Sequence, residues 1–169
     1  MAAKNKNLFL ILAAACFVGI ILIFVFDGYM GRYDTLSVTS GETTQKIDAQ
    51  QWADQEKWGY PPQISIVYNG KASFSYEIDN RSFSSYQTTF DVTVWRDKEK
   101  VSDVLSGDID IEAFGKEQIS WTLDAAELVA GAITTEGKTF TVQIRLGDIK
   151  RSLLVYVYAT SIPKLEPKF

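Results

Sequence analysis

The side chains that ordinarily carry catalysis are scarce in this sequence. None of the 169 residues is histidine, which removes together the commonest general base, the commonest metal ligand and the usual switch at physiological pH. The single cysteine, Cys16, lies inside an apolar run, so an intrachain disulfide, a CxxC zinc site and a Cys/His nucleophile are all excluded. Ser82, Ser84 and Ser85 cluster without a base to activate them, and no GxSxG or Gly-rich phosphate loop is present. Asp108, Asp110 and Glu112 share one face of an extended segment, but their spacing of about 6.8 Å per two residues is too wide for one calcium ion. They read as a solvated strand face, and no metal or cofactor is expected. Asn80-Arg81-Ser82 fits an N-glycosylation acceptor. The chain reads as a non-enzyme.

Binding is better represented than chemistry. Residues 51–62 hold Trp52, Trp58 and Tyr60 together with Pro61 and Pro62. By composition this is a loop, and an unusually aromatic one. Exposed aromatics are enriched at interaction hot spots, so Trp52, Trp58 and Tyr60 are candidate partner contacts. The competing reading is that the tryptophans plug one end of a sandwich. The net charge of −4, from 17 basic and 21 acidic residues, argues against a nucleic-acid partner. No small-molecule substrate is expected.

The elements that must position these residues begin with Leu8–Phe26, nineteen residues without a charge. At about 1.5 Å per residue such a helix spans roughly 28 Å, close to a bilayer's hydrocarbon core. Lys4 and Lys6 precede it, while Asp27, Arg32 and Asp34 follow. The positive-inside bias therefore puts residues 1–7 in the cytoplasm, makes 8–26 a single-pass anchor in membrane lipid, and places the rest outside. A cleaved signal peptide or a lipoprotein site at Cys16 remains open, although Ala13, Ala14 and Ala15 sit mid-run and apolar residues follow them. Ala15 and Gly19 lie four apart, a small-xxx-small face on which another helix can pack. Setting aside Lys4 and Lys6, the 17 basic residues become 15 against 21 acidic, a net of −6 for the external part. Such a domain should stand off an anionic surface.

After a link at 27–32, hydrophobic residues recur with a period of two, the mark of half-buried strands. Leu36 and Val38 form the first set, read as an edge strand. Ile64, Ile66 and Tyr68 follow, then Ala72, Phe74, Tyr76 and Ile78, and then Phe90, Val92 and Val94. Ile109 with Ile111, then Ile119 with Trp121 and Leu123, and finally Phe140, Val142, Ile144 and Leu146 continue the series. Leu153–Tyr158 is apolar on both faces, so it should lie centrally or be covered. Asn69-Gly70 predicts a two-residue hairpin, as does Gly147-Asp148, and the charged residues 96–100 predict a further turn before Val101–Leu105. Asp124 to Ala130 has the length of one helical turn. Residues 33–162 thus read as one all-β domain, an antiparallel sandwich of about seven to nine strands, with an extended tail at 163–169.

The strand Ala72–Asn80, the strand Thr89–Trp95, the charged turn Asp97–Val101 and the closing hairpin of Phe140–Leu146 with Ile149–Tyr158 resemble immunoglobulin-like and fibronectin type III-like modules, particularly the CARDB-type modules of prokaryotic cell surfaces. The resemblance spans about 90 residues and is one of architecture. It implies adhesion, spacing or assembly on an Ig-like β-sandwich. The expectation is an accessory or assembly subunit of a membrane or envelope complex, with protein partners. The alternative is a stand-alone surface module for a protein or glycan ligand.

Overall fold

The computed structural model describes residues 12–22, 31–129 and 137–159. Helix α1 covers residues 12–22. Among the described residues no helix is long and apolar enough to cross a membrane. The flanks of the Leu8–Phe26 run, the link at 27–30 and the tail at 163–169 lie outside the described residues.

Among the described residues nine strands and two further helices follow: β1 (Arg32–Ser40), β2 (Thr43–Ile47), α2 (Ala49–Trp58), β3 (Gln63–Val67), β4 (Lys71–Asn80), β5 (Tyr86–Arg96), β6 (Glu99–Ile111), β7 (Lys116–Asp124), α3 (Ala125–Val129), β8 (Lys138–Leu146) and β9 (Ile149–Tyr158). They form a four-stranded sheet of order β2-β1-β4-β7 and a five-stranded sheet of order β3-β9-β8-β5-β6. The two sheets enclose one core, as an all-β sandwich requires. Inward positions follow the period-two sets closely: Leu36 and Val38, Phe74, Tyr76 and Ile78, Val92 and Val94, and Val142 and Ile144 are all buried. Phe74 stacks on Trp121 at 5.2 Å between ring centroids, and Phe90 meets Tyr76 at 5.7 Å, so aromatic contacts fill the middle of the core.

Several elements depart from what the sequence suggests. β1 is central rather than an edge, because β2 pairs along it from Leu36↔Ile47 to Ser40↔Thr43. The Asn69-Gly70 turn does not close a hairpin. β3 belongs to the five-stranded sheet and β4 to the four-stranded one, so this turn carries the chain across the sandwich. β3 instead runs parallel to β9, with Ile64 beside Val155 and Ile66 beside Val157. Val101–Leu105 and Ile109–Ile111 are not separate segments but one strand, β6, accommodated by two register shifts against β5. Bulges of this kind bend an edge strand and discourage edge-to-edge pairing.

Other features match. Gly147 takes φ +55 in the two-residue turn that joins Leu146 to its partner Ile149. Asp97 takes φ +57 in the turn between Arg96 and Glu99, a conformation asparagine and aspartate tolerate better than most residues. β9 lies between β3 and β8, which explains why it is apolar on both faces.

Candidate functional site

Residues 51–58 are helix, not loop. Asp48 caps α2 by accepting from the amides of Gln50 and Gln51 at 3.0 and 3.1 Å, while the Asp48 amide donates to the Gln51 side-chain oxygen at 3.1 Å. This reciprocal capping box satisfies donors that a helix start otherwise leaves open. Gly59 ends the helix at φ +72 with its amide on Gln55, and Pro61 and Pro62 prevent continuation.

The helix separates the three candidate aromatics by environment. Trp52 is fully buried among core residues. It is therefore not a partner contact. Trp58 and Tyr60 are 61% and 80% exposed. Lys57 lies over the Trp58 ring at 4.6 Å. The plug reading thus holds for Trp52, while Trp58 and Tyr60 are left at the surface.

Beside the buried Trp52, α2 also touches a buried polar cluster that the sequence reading did not identify. Asp34 on β1 is 2% exposed. It receives two bonds from the Arg151 guanidinium of β9, each 2.9 Å, and one from the Tyr76 hydroxyl of β4 at 2.7 Å. The other side of Arg151 donates to Glu56 of α2, and its guanidinium lies 5.5 Å from the Trp52 ring centroid. Four elements of both sheets and the helix therefore meet at one charged side chain. Burial drives the Tyr76 hydroxyl pKa well above its ordinary value, and the Asp34 carboxylate adds to the rise. For Arg151 burial works against the charge, but bonding to Asp34 and then Glu56 more than offsets it and raises its pKa. Both oxygens of the Asp34 carboxylate are thus engaged by Arg151 and Tyr76. The cluster ties β1, β4 and β9 together and reaches α2 through Glu56.

A signal for this cluster exists in the sequence. Asp34 stands two residues before Leu36, and Arg151 two before Leu153, so both fall in phase with core positions. Opposite charges at inward positions of two strands are the pattern of a buried pair.

Asn80 has a structural role. It is fully buried; its amide donates to the carbonyls of Ser84 and Glu112, both at 2.9 Å, and its oxygen accepts from the Ser82 amide at 3.2 Å. An N-linked glycan needs that nitrogen in solvent, so the acceptor expectation fails on burial. Ala15 and Gly19 lie one turn apart on α1, and an added Cβ at Gly19 would meet nothing within 4 Å. Cys16 on the same helix is exposed.

Along β6, Asp110 accepts from Gln87 at 2.7 Å and Asp103 pairs with Lys100 at 2.8 Å. Among the described residues no three histidine, cysteine, aspartate or glutamate side chains are grouped to hold a metal ion. A groove of about 640 Å³ runs along the seam between β2 and β3, bordered by Val38, Gln45, Gln63, Ser65, Lys71 and Tyr158. Its one charged side chain, Lys71, lies 3.3 Å from Asp124.

No family model and no curated protein matches the chain. Among solved structures, a β-glucosidase from Listeria innocua in complex with isofagomine aligns over 73% of this chain and 16% of its own, with TM-score 0.43 and 10% identity. A β-glucosidase from Erythrobacter marinus aligns over 55% and 14%, with TM-score 0.41 and 10% identity. A red sea bream transglutaminase aligns over 60% and 15%, with TM-score 0.40 and 6% identity. Likeness at this level, over a small share of much longer chains, carries no argument about this one.

Proposed function

We propose that this protein is a non-catalytic, single-pass membrane protein whose Ig-like domain stands outside the cytoplasm and serves as an accessory or assembly subunit of a membrane or envelope complex. The strand order supports the Ig-like reading: β1, β4 and β7, with β2 added at the β1 edge, face a sheet of β9, β8, β5 and β6, with β3 added in parallel at the β9 edge. The uncharged run 8–26 and its flanking charges support the anchor.

The observation that carries the assembly reading is the exposure of Trp58, the last residue of α2, and of Tyr60 just beyond its Gly59 cap. Large exposed aromatics on rigid backbone are suited to filling pockets on a partner, because little side-chain freedom is lost on binding. The test is gentle detergent extraction of native membrane, then sizing and mass spectrometry of what travels with the chain. Co-migration with other membrane proteins in fixed ratio is expected, and Trp58→Ala with Tyr60→Ala should release the chain while leaving its unfolding midpoint in place. Wild-type chain that migrates alone would overturn the assembly reading and leave a stand-alone surface module.

A further inference from the structure

One end of the sandwich carries a second exposed aromatic group. Phe83 and Phe114 are each 59% exposed and pack edge to face, 4.8 Å between centroids at 86°. They come from different loops, β4–β5 and β6–β7, which the Asn80 amide ties together through the carbonyls of Ser84 and Glu112. The Phe114 amide also donates to the Ser82 carbonyl at 3.2 Å. Phe114 holds φ +56, a conformation that bulky residues rarely adopt. A strained backbone thus keeps a phenylalanine in solvent beside another.

The position of this pair gives it a neighbour. Arg32, the first residue of β1, pairs with Asn80 at the same end, and Tyr33 lies under the Arg81 guanidinium at 4.0 Å. Only residues 27–32 separate this end from the apolar run 8–26, a reach of roughly 20 Å even when fully extended. The charges at this end are of both signs: Arg81 pairs with Asp79 at 2.9 Å and Lys116 with Glu77 at 3.0 Å, with Arg32, Glu112 and Glu117 at the same end. Exposed phenylalanines are among the side chains that insert at a bilayer's headgroup–acyl boundary, to a depth of about 5–10 Å.

We propose that Phe83 and Phe114 form an aromatic foot that seats the sandwich in the interfacial layer of the bilayer that residues 8–26 cross. This rests on the anchored reading given above. The foot holds the domain at a fixed height and tilt despite the net negative charge of the external part, because it engages the lipid through rings rather than through cations.

The test uses the full chain with Cys16→Ser in phosphatidylcholine nanodiscs, with one nitroxide at a time on Phe17→Cys, Ser85→Cys or Glu42→Cys. Power saturation against oxygen and a water-soluble nickel chelate reads depth. The label at 17 should favour oxygen and the label at 42, in the β1–β2 turn at the opposite end, should favour nickel. The label at 85 should show several-fold less nickel access than that at 42, equally in phosphatidylcholine and phosphatidylglycerol. Adding Phe83→Ser with Phe114→Gly should raise nickel access at 85 to the level at 42, and glycine at φ +56 relieves strain, so the fold should survive. Equal nickel access at 85 and 42 with 17 still in the bilayer would overturn the foot alone. Water access at 17 would overturn the anchor and the foot with it. Protection at 85 only over phosphatidylglycerol would overturn the aromatic basis in favour of an electrostatic one.

Discussion

Asp34 and Arg151 are not symmetrical partners, and the difference predicts which substitution is worse. The Asp34 side chain is 3% exposed against 13% for Arg151, and Arg151 retains Glu56 when Asp34 is altered. Arg151→Leu strands a carboxylate with only the Tyr76 hydroxyl for company, whereas Asp34→Asn leaves a guanidinium with a second acid at the surface. Removing one member of a buried pair costs about 3–5 kcal/mol, so Arg151→Leu should fall near the top of that range and Asp34→Asn near or below its foot, read from urea midpoints. The double change Asp34→Leu with Arg151→Met should recover much of the loss, since it leaves no unpaired charge. Glu56 is 67% exposed, and Glu56→Gln should cost no more than about 1 kcal/mol. Tyr76 gives a pH signature at the same spot. Its folded pKa lies above its unfolded value of about 10, so the stability it contributes is complete below pH 10 and is lost as the pH rises beyond it. Ultraviolet titration should show one tyrosine that ionises only as the fold opens. In Tyr76→Phe that late step should vanish; if it remains, the protected tyrosine is another one.

Elements were legible to the extent that local pattern decides them. The alternating sets placed the inward faces of β1, β4, β5, β7 and β8 because each period-two run has one face in water. The apolar run on both faces correctly marked β9 as interior. Pairing was less legible, since Asn69-Gly70 has hairpin chemistry and yet crosses between sheets; the distinction lies in β9, which offers β3 a parallel edge 91 residues downstream, Gln63 beside Leu154. Helix α2 was missed although its caps are written in the sequence. Asp48 with Gln51 is a capping box and Gly59 a C-terminal stop, but two prolines and three aromatics nearby gave the composition of a loop. The helix now makes its own predictions. Asp48→Ala should cost about 1 kcal/mol as a lost cap. Trp52→Ala should cost about 3–5 kcal/mol as a cavity beneath the helix. Trp52→Phe should cost much less, because among the described residues the indole N–H has no hydrogen-bond partner to lose. Chemical denaturation ranks the three, and an Asp48→Ala loss as large as that of Trp52→Ala would mean the helix depends on its cap more than on its packing.

Across the described residues the sheets share a hydrophobic core, and the Asp34 cluster joins them by buried ion pairing, with the Arg32 guanidinium on the Tyr86 ring as a second, exposed contact between them. β1 and β4 supply Asp34 and Tyr76 from the four-stranded sheet, and β9 supplies Arg151 from the other. Edges are distributed unevenly about this point. β2 and β3 are five residues each, whereas β6 is thirteen residues long and bulged. Local opening should therefore begin at the edges, while the strands that carry the cluster open only with the global transition. Native-state hydrogen exchange offers the direct reading. Amides of β1, β4, β8 and β9 should share one slowest class, with β2 and β6 exchanging earlier, and unfolding in urea should be a single transition. Arg151→Leu should split that class, because the hydrophobic contacts remain but the charge that favours one relative placement of the sheets is gone. Exchange in which β1 and β4 still move together with β8 and β9 in that variant would mean that core packing alone couples the sheets, and that the cluster serves chiefly to hold α2 and, through it, Trp58 and Tyr60.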